Sequence, residues 1–212
     1  MGVLPQIRRG QELAVWGIAI MVHILRSGLA LVEEDEVTGE IAEAFAEVKR
    51  ILQIPFVPNW MRVLANSPAA FKIYWAFLQA SLKHSSLPES LQSIILYAIA
   101  ERRNCEYCSA WNELSCRTLG IDEETLAAVV EDLGHVSPER LQAILKFAIK
   151  ASLHPKELSA ADYQRLREEG VSEEEIVEIV FLAAVASMND TLADALKIDV
   201  DLPVAERLAQ SR

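Results

Sequence analysis

The sequence of 212 residues predicts an all-α protein. Apolar residues recur at helical spacing, as at Ile41, Phe45, Val48 and Leu52, and no segment shows the alternation of apolar and polar residues that is typical of a strand. Glycine and proline number eight each and there is no low-complexity segment, so we expect a chain that is ordered almost throughout. The length suits one domain, or two small fused halves, with a sizeable core.

The first apolar segment, "LAVWGIAIMVHIL" at 13–25, predicts an N-terminal helix that is buried against the body of the protein or against a neighbouring subunit. It follows Arg8 and Arg9, as the apolar part of a secretory signal would. It is too short to span a bilayer, however, contains His23 and lacks a clean small-residue cleavage site before the run "EEDE". We therefore expect residues 1–32 to be a helical extension of a single domain over 33–212. The protein should be cytoplasmic, with reduced cysteines.

Each later helix begins at a residue that favours a helix start. These starts are Thr38, Ser67–Pro68, Pro88, Asn104, Asp122, Ser137–Pro138, Ser159 and Ser172, with Glu175 completing a capping box at the last. The segment "PFVPNW" at 55–60 ends the helix that begins at Thr38 and separates it from the helix that begins at Ser67–Pro68. The later helices end near Arg103, Gly120, Gly134, His154–Pro155 and Gly170, where a glycine suits the left-handed position after a helix.

A repeat links two of these helices. "PESLQSIILYAIA" at 88–100 and "PERLQAILKFAIK" at 138–150 are identical at seven of thirteen positions. Two buried helices with proline starts can converge on similar residues, but the shared Pro-Glu-x-Leu-Gln start is polar as well as apolar. We therefore favour an internal duplicated helical unit, in which only the first copy is followed by cysteines.

The net charge and the composition indicate which kinds of molecule the protein binds. The net charge of −11 argues against nucleic acid and against an anionic membrane surface, because both require clustered Lys and Arg. Hydrophobic residues make up 51% of the chain, which favours apolar contacts between subunits. We expect a homo-oligomer, either a dimer or a hexamer built from dimers, and neither a nucleic-acid partner nor a membrane.

All three cysteines lie within "ERRNCEYCSAWNELSC" at 101–116. On a helix that begins at Asn104, the residues Cys105, Cys108, Asn112 and Cys116 form one stripe. Side chains three residues apart on a helix are close enough for Cys105 and Cys108 to form a disulfide after a small adjustment.

The start of this helix favours reactive thiols. An Asn104 N-cap would place Cys105 and Cys108 in the first turn, where unpaired N–H groups and the helix dipole stabilise a thiolate. Arg102 and Arg103 would add positive charge. The stripe therefore predicts dithiol redox chemistry.

Two other interpretations compete for the cysteines. A closed zinc site needs four ligands, and the C-x-x-C motif has neither a second C-x-x-C nor a histidine pair, since the histidines are scattered. We therefore expect no metal, and no other cofactor is indicated. Free cysteines are also common in cores. The polar neighbours of Cys105 and Cys108 argue against a core position for them, whereas Cys116, away from the helix start, fits one.

At this point the chain resembles a known family. "NCEYC" after an apolar helix, together with "VPNWMRVLANSPAAFKIYWAF", "LGIDEE" and "NDTLADAL", resembles the alkylhydroperoxidase D-like proteins of the carboxymuconolactone decarboxylase superfamily, and in particular their peroxidase-related branch. The resemblance covers roughly Glu33 to Val200. It implies an alkylhydroperoxidase D-like helical bundle and a thiol-dependent peroxidase or disulfide oxidoreductase that reduces small alkyl hydroperoxides.

The resemblance also implies roles for the two thiols. Cys108 would attack the peroxide and Cys105 would resolve the adduct as a disulfide, which a thiol or dithiol reductant then reduces. The family's proton relay is missing, because Ser93 and Asn112 stand at its Glu and His positions. A neutral Asn cannot accept the thiol proton near pH 7.

Glu101 is the natural substitute, since it lies four residues before the first cysteine and could pass a proton through water. It is equally compatible with a solvated charge at a helix end. His84 and His135 are other possible bases.

Two further functions compete with peroxide reduction. One is a redox-silent oligomeric helical protein that keeps the fold to bind a small ligand or a partner. The other is the decarboxylase activity for which the superfamily is named, and no group of His or Arg residues in the sequence supports it.

Overall fold

The computed structural model describes residues 13–15, 18–20 and 23–211. Apart from one short hairpin, its regular structure is helical, so the predicted all-α fold class is confirmed. In the described part of the chain the helices are α1 (Gly39–Leu52), α2 (Asn59–Leu64), α3 (Pro68–His84), α4 (Glu89–Arg103), α5 (Glu106–Thr118), α6 (Glu123–Glu131), α7 (Glu139–Leu153), α8 (Ala160–Glu168), α9 (Glu173–Leu196) and α10 (Leu202–Gln210). Short 3₁₀ turns at Leu133–His135 and Pro155–Glu157 flank α7.

The helix predicted over 13–25 is wrong where the structure describes this segment. The strands β1 (Leu13–Val15) and β2 (Ile18–Ile20) pair antiparallel, with Leu13 opposite Ile20. The composition explains the difference, because Val15, Ile18 and Ile20 are β-branched and Gly17 is a poor helix former. The apolar character of the segment was a correct observation, but its period was misjudged.

The chain divides into two compact units. Among the described residues, the first comprises those up to Ser81 with Ala195–Asp199, and the second comprises Leu82–Asp194 with those from Val200 onward. In the first unit, Phe45 and Val48 of α1 pack with Met61 of α2 and with Phe71 and Trp75 of α3. The predicted apolar face of α1 is therefore the face that builds this core.

The second unit has a larger core, built from the buried faces of α4, α6, α7 and α9. The two copies of the repeat, α4 and α7, are each 15 residues long, each follows a proline, and they pack against each other. Helix α9 is long and apolar enough to cross a membrane by those criteria alone. Its Ile179, Ala183 and Ala186 are buried in this core, which is the environment of a core helix.

The predicted caps of α6 and α9 form in the second unit. Asp122 accepts a hydrogen bond from the Thr125 N–H at 2.7 Å at the start of α6. Ser172 and Glu175 form the reciprocal capping box before α9, at 2.8 and 3.2 Å. Gly120 adopts φ 80° after α5, a left-handed conformation that glycine tolerates without strain.

Candidate dithiol site

The junction between α4 and α5 positions the two cysteines of the C-x-x-C motif. Asn104 was expected to cap α5, and this is wrong: it is the left-handed C-cap of α4, with φ 56°, and its N–H bonds back to the Glu101 carbonyl at 3.2 Å. Asparagine tolerates this conformation better than most residues. The N-cap of α5 is Cys105.

Cys105 caps α5 through its sulfur. The Cys108 N–H donates to the Cys105 Sγ at 3.4 Å, so the sulfur takes the place that a hydroxyl or carboxylate oxygen usually occupies. Cys108 lies in the first turn, as predicted. Both thiols are free, and the two residues are only 0% and 7% exposed. The positive end of the helix therefore faces a buried pair of thiols.

A carboxylate that the sequence analysis missed completes the site. Asp190 of α9 is 2% exposed, and one of its oxygens and the two sulfurs all lie within 4.8 Å of one another. Its Oδ2 is 3.1 Å from Nε of Arg103, at the end of α4. The two groups are not aligned for a hydrogen bond, so Oδ2 is buried without a hydrogen-bond partner. Arg103 thus balances the charge of Asp190 and leaves that oxygen available.

The site raises the pKa of both the Cys108 thiol and the Asp190 carboxyl. Hydrogen bonding with Cys105, burial and the negative charge of Asp190 raise the pKa of the Cys108 thiol far above its ordinary value. Burial raises the pKa of Asp190, while its interaction with Cys108 and the charge of Arg103 oppose the rise. The arrangement therefore favours a protonated Cys108 beside a carboxylate that accepts protons more readily than an ordinary Asp.

The other sequence-predicted site residues have different surroundings. The side-chain amide of Asn112 donates to the Cys108 carbonyl at 2.8 Å, so it supports the backbone of α5. Glu101 is half-buried in the last turn of α4, where its charge helps to raise the pKa of Tyr97. Among the described residues, the carboxylate grouped with both sulfurs is that of Asp190. The role of Glu101 in proton transfer stays a prediction. His84 and His135 are exposed.

Cys116 lies in the core of the second unit, as predicted. It is fully buried, and burial followed by the charge of Glu113 raises the pKa of its thiol to about 12. Glu113 in turn accepts hydrogen bonds from Arg117 at 2.8 and 3.0 Å. Cys116 is therefore chemically distinct from the thiols at the helix start.

Two aromatic residues hold α5 in place. The Tyr107 hydroxyl and the Trp111 Nε1 both donate to Oδ2 of Asp201, at 2.8 and 2.7 Å. Asp201 is buried and immediately precedes α10. Because Tyr107 lies between the two cysteines in sequence, this carboxylate fixes the turn that carries them.

The donors at the site do not make a closed zinc centre among the described residues. Cys105, Cys108 and Asp190 supply three potential ligand atoms where a structural zinc site uses four, and Arg103 already balances the carboxylate. We interpret the cluster as a thiol site.

The first unit contains an open groove of about 600 Å³ along α1 and α3. Its lining includes Glu43, Glu47, Phe71, Lys72 and Trp75, and the Trp75 Nε1 donates to Glu47 at 3.3 Å. None of the sequence-predicted site residues lines it.

Comparison with known proteins gives structural matches only. No protein-family model and no curated protein matches the sequence. An alkylhydroperoxidase AhpD core, an uncharacterized peroxidase-related protein from Ralstonia eutropha JMP134, is 24% identical with a TM-score of 0.74, over 82% of this chain and 92% of that chain. An uncharacterized peroxidase-related protein from Silicibacter sp. TM1040 is 20% identical with a TM-score of 0.73, over 83% and 91%. The debrominase Bmp8, as a variant in complex with 2,3,4-tribromopyrrole, is 17% identical with a TM-score of 0.67, over 82% and 91%.

These likenesses define a helical protein with the alkylhydroperoxidase AhpD-like fold. The chain belongs to that fold group, as the sequence resemblance implied. Since each of these identities is below 25%, the likeness extends to the fold alone, and the presence of a debrominase among the matches shows that the fold does not fix the reaction. Function must be argued from the site itself.

Proposed function

We propose that the protein is a dithiol oxidoreductase that reduces small alkyl hydroperoxides through Cys105 and Cys108. The observation that supports this most directly is the closeness of the two sulfurs to each other and to a buried carboxylate at a helix start. Such a site holds both thiols at the positive end of a helix and places Cys105 where it can attack Cys108 after oxidation.

The proposed reaction has two steps and a regeneration. The Cys108 thiolate attacks the terminal oxygen of the hydroperoxide, an S–O bond forms, the O–O bond breaks, and an alcohol leaves as Cys108 becomes a sulfenic acid. Cys105 then attacks the Cys108 sulfur, water leaves, and a disulfide forms. An external thiol or dithiol returns two electrons and restores both thiols.

The burial of both cysteines favours a second candidate, a redox-silent protein that binds a small ligand or a partner. Cys105 is fully buried and Cys108 is only 7% exposed. A peroxide that reacts at this site therefore has to reach a largely enclosed Cys108 sulfur. A count of free thiols before and after one equivalent of peroxide separates the two functions.

The test of the proposed function uses one reactive and one matched cysteine variant. With a dithiol reductant supplied, we expect wild type to consume peroxide and to lose two of its three thiols when the reductant is withheld. Cys108→Ser should consume none, while Cys116→Ala, which alters only a core thiol, should behave as wild type. Unchanged thiol counts in wild type would overturn the peroxidase function and favour the redox-silent alternative.

We also propose that the protein is a cytoplasmic homo-oligomer, a dimer or a hexamer. The support is compositional together with apolar side chains that α9 exposes to solvent, such as Val177, which is 68% exposed.

A further inference from the structure

The proposed first step needs a proton acceptor, and the expected relay positions do not provide one. Ser93 and Asn112 are neutral, and the Asn112 amide is already engaged with the Cys108 carbonyl. The pKa of the Cys108 thiol is raised, so its proton must be removed within the site for it to react near neutral pH.

Asp190 is placed in the core without an evident structural purpose. It lies on α9 after the apolar run "FLAAVASM" at 181–188, and burial of a carboxylate is strongly unfavourable unless it is paired. Its pairing with Arg103 reduces that cost, yet Oδ2 has no hydrogen-bond partner. Asp190 is 2% exposed and lies beside two thiols. A buried carboxylate oxygen without a hydrogen-bond partner is typical of a group with a chemical role.

We propose that Asp190 is the catalytic proton acceptor for Cys108, and this inference rests on the proposed function. Asp190 takes the proton of the Cys108 thiol as the thiolate attacks the hydroperoxide, and returns it to the departing alkoxide, which leaves as the alcohol. In the second step it takes the Cys105 proton and delivers it to the departing hydroxide, which leaves as water. Protons balance in both steps, and Asp190 ends each one ionised.

The surroundings of Asp190 suit that role. Arg103 on α4 faces it and stabilises the ionised form, so Arg103 acts as a positioning residue. Asp194, one turn along α9, opposes ionisation, as does burial. The balance leaves a carboxylate with a raised pKa, which is a stronger base than an exposed one and better matched to a thiol.

Asp190 also explains how the site can function without Glu101. A base has to lie within hydrogen-bond reach of the proton it removes, directly or through one water. An Asp190 oxygen and the two sulfurs lie within 4.8 Å of one another. The described contacts of Glu101 involve Tyr97 and the backbone of Asn104 instead. The two carboxylates can be separated by experiment.

The test compares Asp190→Asn with wild type in two assays. Stopped-flow oxidation by an alkyl hydroperoxide should slow by about a hundredfold or more, the usual contribution of a general base. Iodoacetamide alkylation of Cys108, followed by mass spectrometry, should shift to lower pH, because the negative charge that opposes thiolate formation is gone. A thiol that ionises more easily but reduces peroxide more slowly identifies a proton acceptor, because a merely structural role would not separate the two.

Two further variants serve as controls. Glu174→Gln makes the same carboxylate-to-amide change at an exposed position near the start of the same helix and should leave both measurements close to those of wild type. If Asp190→Asn alone fails to fold because Arg103 loses its partner, the double variant with Arg103→Gln removes both charges and should show the same loss of rate.

Each outcome decides the inference. If Asp190→Asn reacts within about threefold of an active wild type, or if Glu101→Gln alone slows the reaction, Asp190 is not the acceptor while the peroxidase function stands. If wild type does not react with the peroxide at all, the proposed function fails and the role of Asp190 fails with it.

Discussion

Asp201→Ala is expected to destabilise the protein by about 3 kcal/mol. The Asp201 Oδ2 accepts hydrogen bonds from Tyr107 and Trp111 at 2.8 and 2.7 Å, and the residue is only 3% exposed. A hydrogen bond to a charged group contributes about 1.5–3 kcal/mol, so two would contribute about 3–6 kcal/mol. Because the variant also removes the cost of burying a carboxylate, we expect the low end of that range.

The assay is urea unfolding followed by circular dichroism, with the free energy of unfolding compared at an unchanged denaturant slope. Glu206→Ala, at an exposed acidic position on α10, is the control and should stay within about 0.5 kcal/mol of wild type. Tyr107→Phe should cost about half as much as Asp201→Ala, and should add little to it in the double variant, since the shared bond is then already lost.

The same reasoning links this anchor to reactivity. With Asp201 gone, the turn that carries the thiols is less firmly held, so peroxide consumption should fall even where the folded fraction is complete. An Asp201→Ala protein within about 1 kcal/mol of wild type, with full activity, would refute the idea that this carboxylate holds α5.

Four other outcomes are expected. Mass mapping after mild oxidation should find a disulfide between the two cysteines of the C-x-x-C motif and a reduced Cys116, and a bridge that includes Cys116 would contradict the assignment. With Asp190 as the proton acceptor, Glu101→Gln should reduce peroxide about as fast as wild type, and a marked slowing would assign the relay to Glu101 instead. Light scattering at micromolar concentration should show a dimer or a hexamer, and a monomer would count against the apolar interfaces. Lys150 holds the pKa of Asp162 at about 2, so Asp162→Asn should destabilise fully above about pH 4, with the difference lost as pH falls towards 2.

Features decided within a few residues were predictable from the sequence. The Asp122 cap and the Ser172–Glu175 capping box form as expected, because each depends on side chains that reach only the next helical turn. The apolar spacing of α1 likewise identified its buried face. In these places local chemistry and the final structure agree.

Two predictions from local sequence, the Asn104 N-cap and the helix over 13–25, were wrong because the same residues also suit a different local structure. Asparagine suits both an N-cap and a left-handed C-cap. Asn104 is the C-cap of α4, so the N-cap of α5 is the next residue, Cys105. Over 13–20 a continuous apolar run fits a buried helix as well as strands, and only β-branching and Gly17 distinguish the two.

Asp190 was missed for a different reason. It lies more than eighty residues after Cys108 in the chain, and only tertiary packing of α9 beside the start of α5 brings it to the two thiols. A signal was present, since an acidic residue follows an apolar run on a helix that the core must bury. An acidic residue in that position is a site candidate on sequence grounds alone, because a core tolerates a carboxylate only where it is paired or used.

The sulfur cap on α5 links folding to electron transfer. Cys105 receives the Cys108 N–H only while its sulfur is free to turn towards the backbone, and a disulfide would commit that sulfur to the Cys108 side chain. Any free energy by which the folded helix favours the reduced form makes the disulfide a stronger oxidant by the same amount, about 30 mV for each 1.4 kcal/mol. Substitutions in the first turn that stabilise the capped, reduced form more than the disulfide form should therefore raise the reduction potential of this pair without touching a thiol.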